Sequence, residues 1–155
     1  MLIRAATPSD VQRMIALGAA APSAPQWADT EYEHLFNPEE TRARHALVAE
    51  EQSVIAGFAI ALELAPHWEL ETIVVDEGRR QTGIGSQLLA ALMSLAKERA
   101  AREMTLEVRE SNSAARGLYE QLGFSVQARR RRYYHDPEED AIIYSVFFAP
   151  VENFS

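Results

Sequence analysis

The chain has 155 residues, enough for one domain and too few for two of ordinary size, and its 47% apolar and 25% charged content is that of a soluble globular protein. Cysteine is absent, which excludes disulfides, thiolate metal sites and a cysteine nucleophile together. The net charge is −8, Lys97 is the single lysine, and no apolar run approaches the ~18 residues a membrane helix needs.

Charge is unevenly spread. Residues 1–78 carry four arginines against 13 acids, whereas residues 79–155 carry 11 basic residues against 10 acids. An acidic half suits a cationic partner and an arginine-richer half an anionic one, although an incidental solvated surface gives the same asymmetry. The opening MLIRAATPSD lacks the long apolar core of a secretory signal, so a cytoplasmic location is expected.

LIRAA reads as a first strand and TPSD as a turn and helix start, where Ser9 or Asp10 can cap free backbone N–H groups. Val11, Met14, Ile15 and Ala19 then recur at helical spacing. APSAPQWADTEYEHLFNPEE reads as a loop with a short helix starting near Asp29, the kind of segment that often carries specificity. HALVAE and VIAGFAIALEL flank EEQS as a hairpin, and the alternation of Phe58, Ile60, Leu62 and Leu64 with small residues predicts a half-buried strand. WELETIVVD is a further strand; its alternation puts Glu69 and Glu71 on one face and Trp68, Leu70 and Thr72 on the other. The strongest helix follows, with Leu88, Leu89, Leu92, Leu95 and Ala96 on one stripe. MTLEVR is a strand, SNSAARGLYEQLGF a helix ending at Gly123, and SVQARRRRYY and AIIYSVFF are strands. The order β-α-α-β-β-β-α-β-α-β-β predicts one α/β (α+β) domain over residues 1–155. Its central sheet is mixed but mostly antiparallel, about seven strands flanked by about four helices.

Between a strand and a helix start, Arg80, Gly83 and Gly85 form R-x-x-G-x-G. Glycines let backbone approach a ligand closely, and a helix start offers unpaired N–H groups and a positive dipole end, so the segment suits a pyrophosphate. A dinucleotide fingerprint needs a third glycine and a P-loop needs G-K-[ST]; neither is present. A tight turn capping a core helix remains the plain alternative.

This motif after TIVVD, in this strand order, resembles the acetyl-CoA-binding motif of the GNAT superfamily of N-acetyltransferases. From Leu106 onward, LEVR-x-SN, LYE-x-LGF, RR-x-YY and EDAII occur in order. Together they resemble the bacterial ribosomal-protein-alanine N-acetyltransferases (the RimI group) over about residues 69–144. The resemblance implies acetyl transfer from acetyl-CoA, with no metal, by direct attack in a ternary complex on the N-terminal amine of a protein of the ribosomal class. Coenzyme A would be held by the backbone of Ile73, Val74 and Val75, by the loop and helix start at Arg80, Gln81, Thr82, Gly83, Ile84, Gly85 and Ser86, and by Asn112 and Arg116. Glu107 would be general base and Tyr119 general acid, with an N–H near Val75 stabilising the oxyanion. Glu69, Glu71, Tyr133, Tyr134 and Asp140 would meet the substrate. Glu77 and Glu71 depart from the family pattern, the first replacing a frequent proline and the second an apolar residue.

Taken singly these residues are ambiguous. A solvent-facing Glu107, a core Tyr119, a helix-capping Asn112 and an exposed Arg116 would give the same pattern. Arg129–Arg132 alternate along a strand of an acidic protein and do not predict direct nucleic-acid binding. No membrane contact is expected either, and the chain is expected to be a monomer or weak dimer. A small-molecule amine or lysine side chain is the alternative acceptor, and a coenzyme-A-binding module without turnover is the alternative class.

Overall fold

In the computed structural model, which describes residues 1–79 and 82–149, the elements follow the order expected. They are β1 (Leu2–Ala5), α1 (Val11–Ala19), α2 (Asp29–His34), β2 (Ala43–Glu51), β3 (Val54–Leu64), β4 (His67–Val75), α3 (Ile84–Glu98), β5 (Glu103–Arg109), α4 (Ser113–Gln121), β6 (Ser125–Tyr134) and β7 (Glu139–Phe147), with 3-10 turns at Pro8–Asp10 and Glu77–Arg79. All seven strands join one sheet in the order β1-β2-β3-β4-β5-β7-β6. Every neighbouring pair is antiparallel except β4 with β5. No helix of the described residues is long and apolar enough to cross a membrane.

The first hairpin turns on Gln52 and Ser53, both left-handed (φ 51° and 65°), the geometry that matches the twist of a two-residue connection. The helices cover both sheet faces. Leu88, Leu89, Leu92 and Ala96 of α3 and Tyr119 of α4 form one core with Ala59, Ala61, Trp68, Leu70, Met104, Leu106 and Val108. Met14 and Leu17 of α1 and Tyr32 of α2 form another with Val48, Phe58, Ile60 and Val74. β3 is therefore buried on both faces from Ile55 to Ala61, not half-buried as its alternation suggested. The small Ala59 and Ala61 are core residues under α3 rather than a solvent face.

One register shift positions everything that follows. Ile60 pairs with Thr72 but Ala61 pairs with Leu70, so Glu71 is an extra residue in β4. Such a bulge exchanges the faces of the strand beyond it. Trp68 and Leu70 point to the α3 side, whereas Val74 joins the α1 side and Ile73 and Val75 take over toward α3. Thr72, opposite Ile60, thus shares the α1 face, correcting its expected grouping with Trp68 and Leu70.

The start of α1 also differs from expectation. Thr7 caps the 3-10 turn, and the Asp10 carboxylate accepts from Thr7 N–H at 2.8 Å and from both Arg4 Nη atoms at 2.8 and 3.0 Å. Its side chain is only 7% exposed, so it ties β1 to the helix start rather than capping α1 itself. The Arg4 guanidinium, together with the Thr7 N–H and hydroxyl, holds the Asp10 carboxyl below the usual aspartate range despite burial. A depressed carboxylate stabilises the fold above its unfolded pKa of about 3.9 and loses that contribution as pH falls through the folded value. Asp10→Asn is expected to cost about 1–3 kcal/mol at pH 7, the worth of charge-assisted hydrogen bonds, with the difference closing below pH ~4. Urea denaturation of both forms at pH 7 and pH 3 checks this; an unchanged gap at pH 3 would contradict it.

Candidate active site

β4 and β5 run parallel, and their pairing stops after three residue pairs, His67 with Glu103, Trp68 with Met104 and Glu69 with Thr105. β4 continues to Val75 along β3, and β5 continues to Arg109 along β7. The two strands therefore part just where the Glu71 bulge turns β4. The opening is a cleft of about 720 Å³ at their C-terminal ends, where α3 and α4 begin. One wall is backbone. Asp76 N–H donates to Ala56 O of β3, so by strand alternation the polar backbone groups of Val75 and Ile73 face away from β3, into the gap.

The start of α3 forms the far end of this cleft. Gly83 is left-handed (φ 86°), a conformation that disfavours any side chain, and it caps the helix without a side-chain bond. The first intrahelical bond runs from Gln87 N–H to Gly83 O. The N–H groups of Ile84, Gly85 and Ser86 precede that bond and so have no acceptor in the helix. A Cβ on Gly85 would meet Leu118, Val75 and Ile73 only at 3.5–4.0 Å, so packing does not demand glycine there; its absence keeps the cleft floor open. Ile84 is buried beneath, leaving its N–H as its contribution. Arg79 lines the cleft and lies 3.7 Å from Glu51, and its carbonyl accepts from the Thr82 hydroxyl. Arg80 and Gln81 lie outside the described residues. These free donors fit the pyrophosphate of a coenzyme A.

The middle of the cleft receives groups from opposite sides of the sheet. Leu106 and Val108 enter the α3-side core, so Glu107 between them points to the other face, with its side chain 29% exposed. It lines the cleft, and Arg130 Nε stands 3.6 Å from Glu107 Oε1. Tyr119 comes from α4 on the α3 side, its ring 6.0 Å from those of both Phe124 and Tyr144. Among the described residues the one fully sealed side-chain polar atom lacking a partner is Trp68 Nε1. The Tyr119 hydroxyl therefore opens into the cleft it lines. Burial, with Tyr134 adding repulsion, pushes its pKa up to about 12. Tyr134 also lines the cleft and is raised by burial and by Glu107, while the Arg109 guanidinium lies 4.3 Å over its ring. Glu69 lies on the Glu107 face, and its carboxyl is raised first by burial, then by the charges of Glu71 and Glu107.

A family model described as the Acetyltransferase (GNAT) family matches residues 13–124. The chain belongs to this family. It is an acyltransferase with the GNAT fold, and its parted strands and glycine-rich helix start lie within the matched region. The Escherichia coli (strain K12) ribosomal protein bS18-alanine N-acetyltransferase is 42% identical over 91 residues, 57% of this chain and 62% of that protein. A Bacillus subtilis (strain 168) protein, assigned the same activity provisionally by its name, is 31% identical over 134 residues, 86% of this chain and 87% of that one. The crystal structure of the E. coli ribosomal-protein-S18-alanine N-acetyltransferase superposes with a TM-score of 0.82 at 30% identity, covering 99% of each chain.

Several residues expected at the GNAT site lie elsewhere. Arg116 is committed to structure, donating from Nε to the Tyr144 hydroxyl and from Nη1 to Glu110 O, both at 2.9 Å, and it is not among the cleft residues. Asp140 accepts from Arg129 Nη1 and Arg132 N–H at 2.9 Å and fixes the β6–β7 hairpin. Tyr133 is 44% exposed and packs edge-on against Tyr134 outside the cleft. Asn112 does line the cleft, but its Oδ1 caps α4 by accepting from Ala115 N–H at 3.2 Å. Glu71 lines the cleft with both oxygens held by Arg44, at 2.7 and 3.0 Å. The loop Ala21–Gln26, the first part of the segment expected to carry specificity, forms another wall. Gln26 Nε2 folds it by donating to the carbonyls of Gly18, Ala21 and Ala24, and a glutamine after two prolines is the faint sequence signal of that knot.

Proposed function

We propose that this GNAT enzyme acetylates the α-amine of a protein N-terminus, that of a ribosomal protein, using acetyl-CoA as donor, with residues 1–155 acting as one catalytic unit. The carrying observation is the β4–β5 cleft, which joins an anion-binding helix start at one end to Glu107 and Tyr119 entering from opposite sheet faces. The names of the E. coli and B. subtilis relatives support the acceptor class.

When bound, acetyl-CoA supplies an acetyl group activated as a thioester. The N–H groups of Ile84, Gly85 and Ser86 hold its pyrophosphate, with Thr82 shaping the loop, Arg80 and Gln81 following by family resemblance, and Asn112 meeting its amides. Backbone polar groups of Ile73 and Val75 orient the pantetheine arm, and Val74 anchors that strand in the α1-side core. Glu69 and Glu71 draw the acceptor's ammonium to the other end. An α-amine has a pKa of roughly 7.7–8.0, so a carboxylate suffices as its base. Glu107 takes the proton as the amine attacks, directly or through one water. Tyr119, still protonated at any physiological pH, donates a hydrogen bond to the departing sulfur. Its high pKa makes that bond, rather than complete proton loss, its main service. Tyr134 presents a second neutral hydroxyl toward the acceptor.

Incubation with acetyl-CoA and peptides varying in their first three residues, followed by mass-spectrometric mapping, tests the proposal. Acetyl on α-amines, with alanine-initiated peptides among the fastest, is expected. Acetyl only on lysine side chains or small amines would overturn it.

A further inference from the structure

β6 is the edge strand of the sheet and carries four consecutive arginines, all exposed. Two of them serve acids of their own neighbourhood: Arg129 bridges Glu110 and Asp140 at 2.8 and 2.9 Å, and Arg132 reaches Glu138 at 3.2 Å. Arg130 is different. Its nearest carboxylate is Glu107, at 3.6 Å, and it also lowers the carboxyl of Glu69, so it stands at the acceptor end of the cleft. Its side chain is 55% exposed and its guanidinium sits beside the Tyr133 ring, 5.4 Å from its centre, without lining the cleft itself. Its separation from Glu107 exceeds hydrogen-bond length, which marks a loose and reversible pair.

We infer that Arg130 is a resident counter-ion that occupies the place of the acceptor ammonium beside Glu107 and must be displaced when the acceptor binds, making it a specificity-determining residue of this site. This rests on the reading of Glu107 as the base that meets the acceptor amine. The charged and titratable groups near Glu107 include Glu69 from β4, Arg109 two residues along β5, which is tied to Glu139, and Arg130 and Tyr134 from β6; its β7 neighbour is the apolar Ile143. Arg130 is the cation of that set that touches Glu107 and is not tied to another acid. In the free enzyme its charge offsets the repulsion between Glu107 and Glu69. An incoming ammonium makes the same offset, so the two cations compete for one carboxylate. A neutral acceptor gains nothing from the exchange, whereas a cationic N-terminus replaces one charge by another at little net electrostatic cost.

The test compares Arg130→Gln with the wild-type enzyme, using acetyl-CoA and an alanine-initiated hexapeptide, with Arg131→Gln as control. Arg131 is exposed on the same strand and does not line the cleft, so its loss changes the net charge equally. Removing the competitor is expected to lower KM for the peptide by about two- to fivefold, the range for an exposed pair, with kcat little changed. The KM effect should shrink in 0.5 M salt. An unchanged or raised KM, or an equal effect of Arg131→Gln, overturns the inference. Failure of the underlying reading shows separately, as full activity in Glu107→Gln, and takes the inference with it.

Discussion

Replacing Tyr119 with phenylalanine is expected to lower kcat by about 100-fold or more, the usual worth of a positioned proton or hydrogen-bond donor. The change removes one oxygen that has no partner among the described residues, and the ring keeps its contacts with Phe124 and Tyr144. Thermal stability and KM for acetyl-CoA should therefore stay near wild type, which separates lost chemistry from lost structure. The pH profile provides a second readout. With its pKa pushed up to about 12 by burial, Tyr119 is protonated across the working range and imposes no alkaline limb below pH ~11. The variant should show a lower profile of unchanged shape. A profile that loses an alkaline limb between pH 8 and 10 would mean that Tyr119 titrates there, and a kcat within threefold of wild type would remove it from the mechanism.

The order of elements was legible because prolines, glycines and polar turns punctuate the chain and because the period changes cleanly between strands and helices. Gly83 and Gly123, both left-handed here, stand just before α3 and just after α4 as a reader of turns would place them. What alternation could not show is the bulge. Glu71 breaks no pattern in the sequence, since the residues of β4 alternate in burial straight through it, yet the face they address changes at that point. The same limit explains Ala59 and Ala61, since small residues read as a neutral face until a helix is known to lie on them. Arg116 and Asp140 stand outside the cleft lining for a different reason. Motif spacing locates a residue along the chain, but the Tyr144 hydroxyl and the β6–β7 hairpin that claim their side chains lie 28 and eight residues or more away. Glu107 and Tyr119 were named by motif resemblance; only the fold shows that they approach one gap from opposite faces.

Glu107→Gln should cost about 10²- to 10⁴-fold in kcat/KM, the contribution of a general base. Glutamine keeps the shape of the side chain and can still meet Arg130 through its amide oxygen, but it cannot take a proton at neutral pH. The electrostatic consequences run beyond the lost base. Glu107 is one of the charges that hold the Glu69 carboxyl above the usual range, so its neutralisation lets Glu69 ionise at lower pH, while Glu71 stays locked by Arg44. Glu69 then becomes the nearest carboxylate able to accept a proton, from the adjoining strand where β4 and β5 still pair. Residual activity in Glu107→Gln should accordingly fall further in Glu69→Gln/Glu107→Gln, and Glu107→Asp should recover only part of the rate because the shorter side chain retracts from the gap. The measurement is kcat/KM for an alanine-initiated peptide between pH 5 and 9. A rate in Glu107→Gln within threefold of wild type, with a collapse in Glu69→Gln alone, would assign the base to Glu69 instead. The argument turns on position: both carboxylates face the same side of the sheet, but Glu107 lines the parted strands, where an acetyl group and an amine can meet, and Glu69 sits behind them, where the strands close.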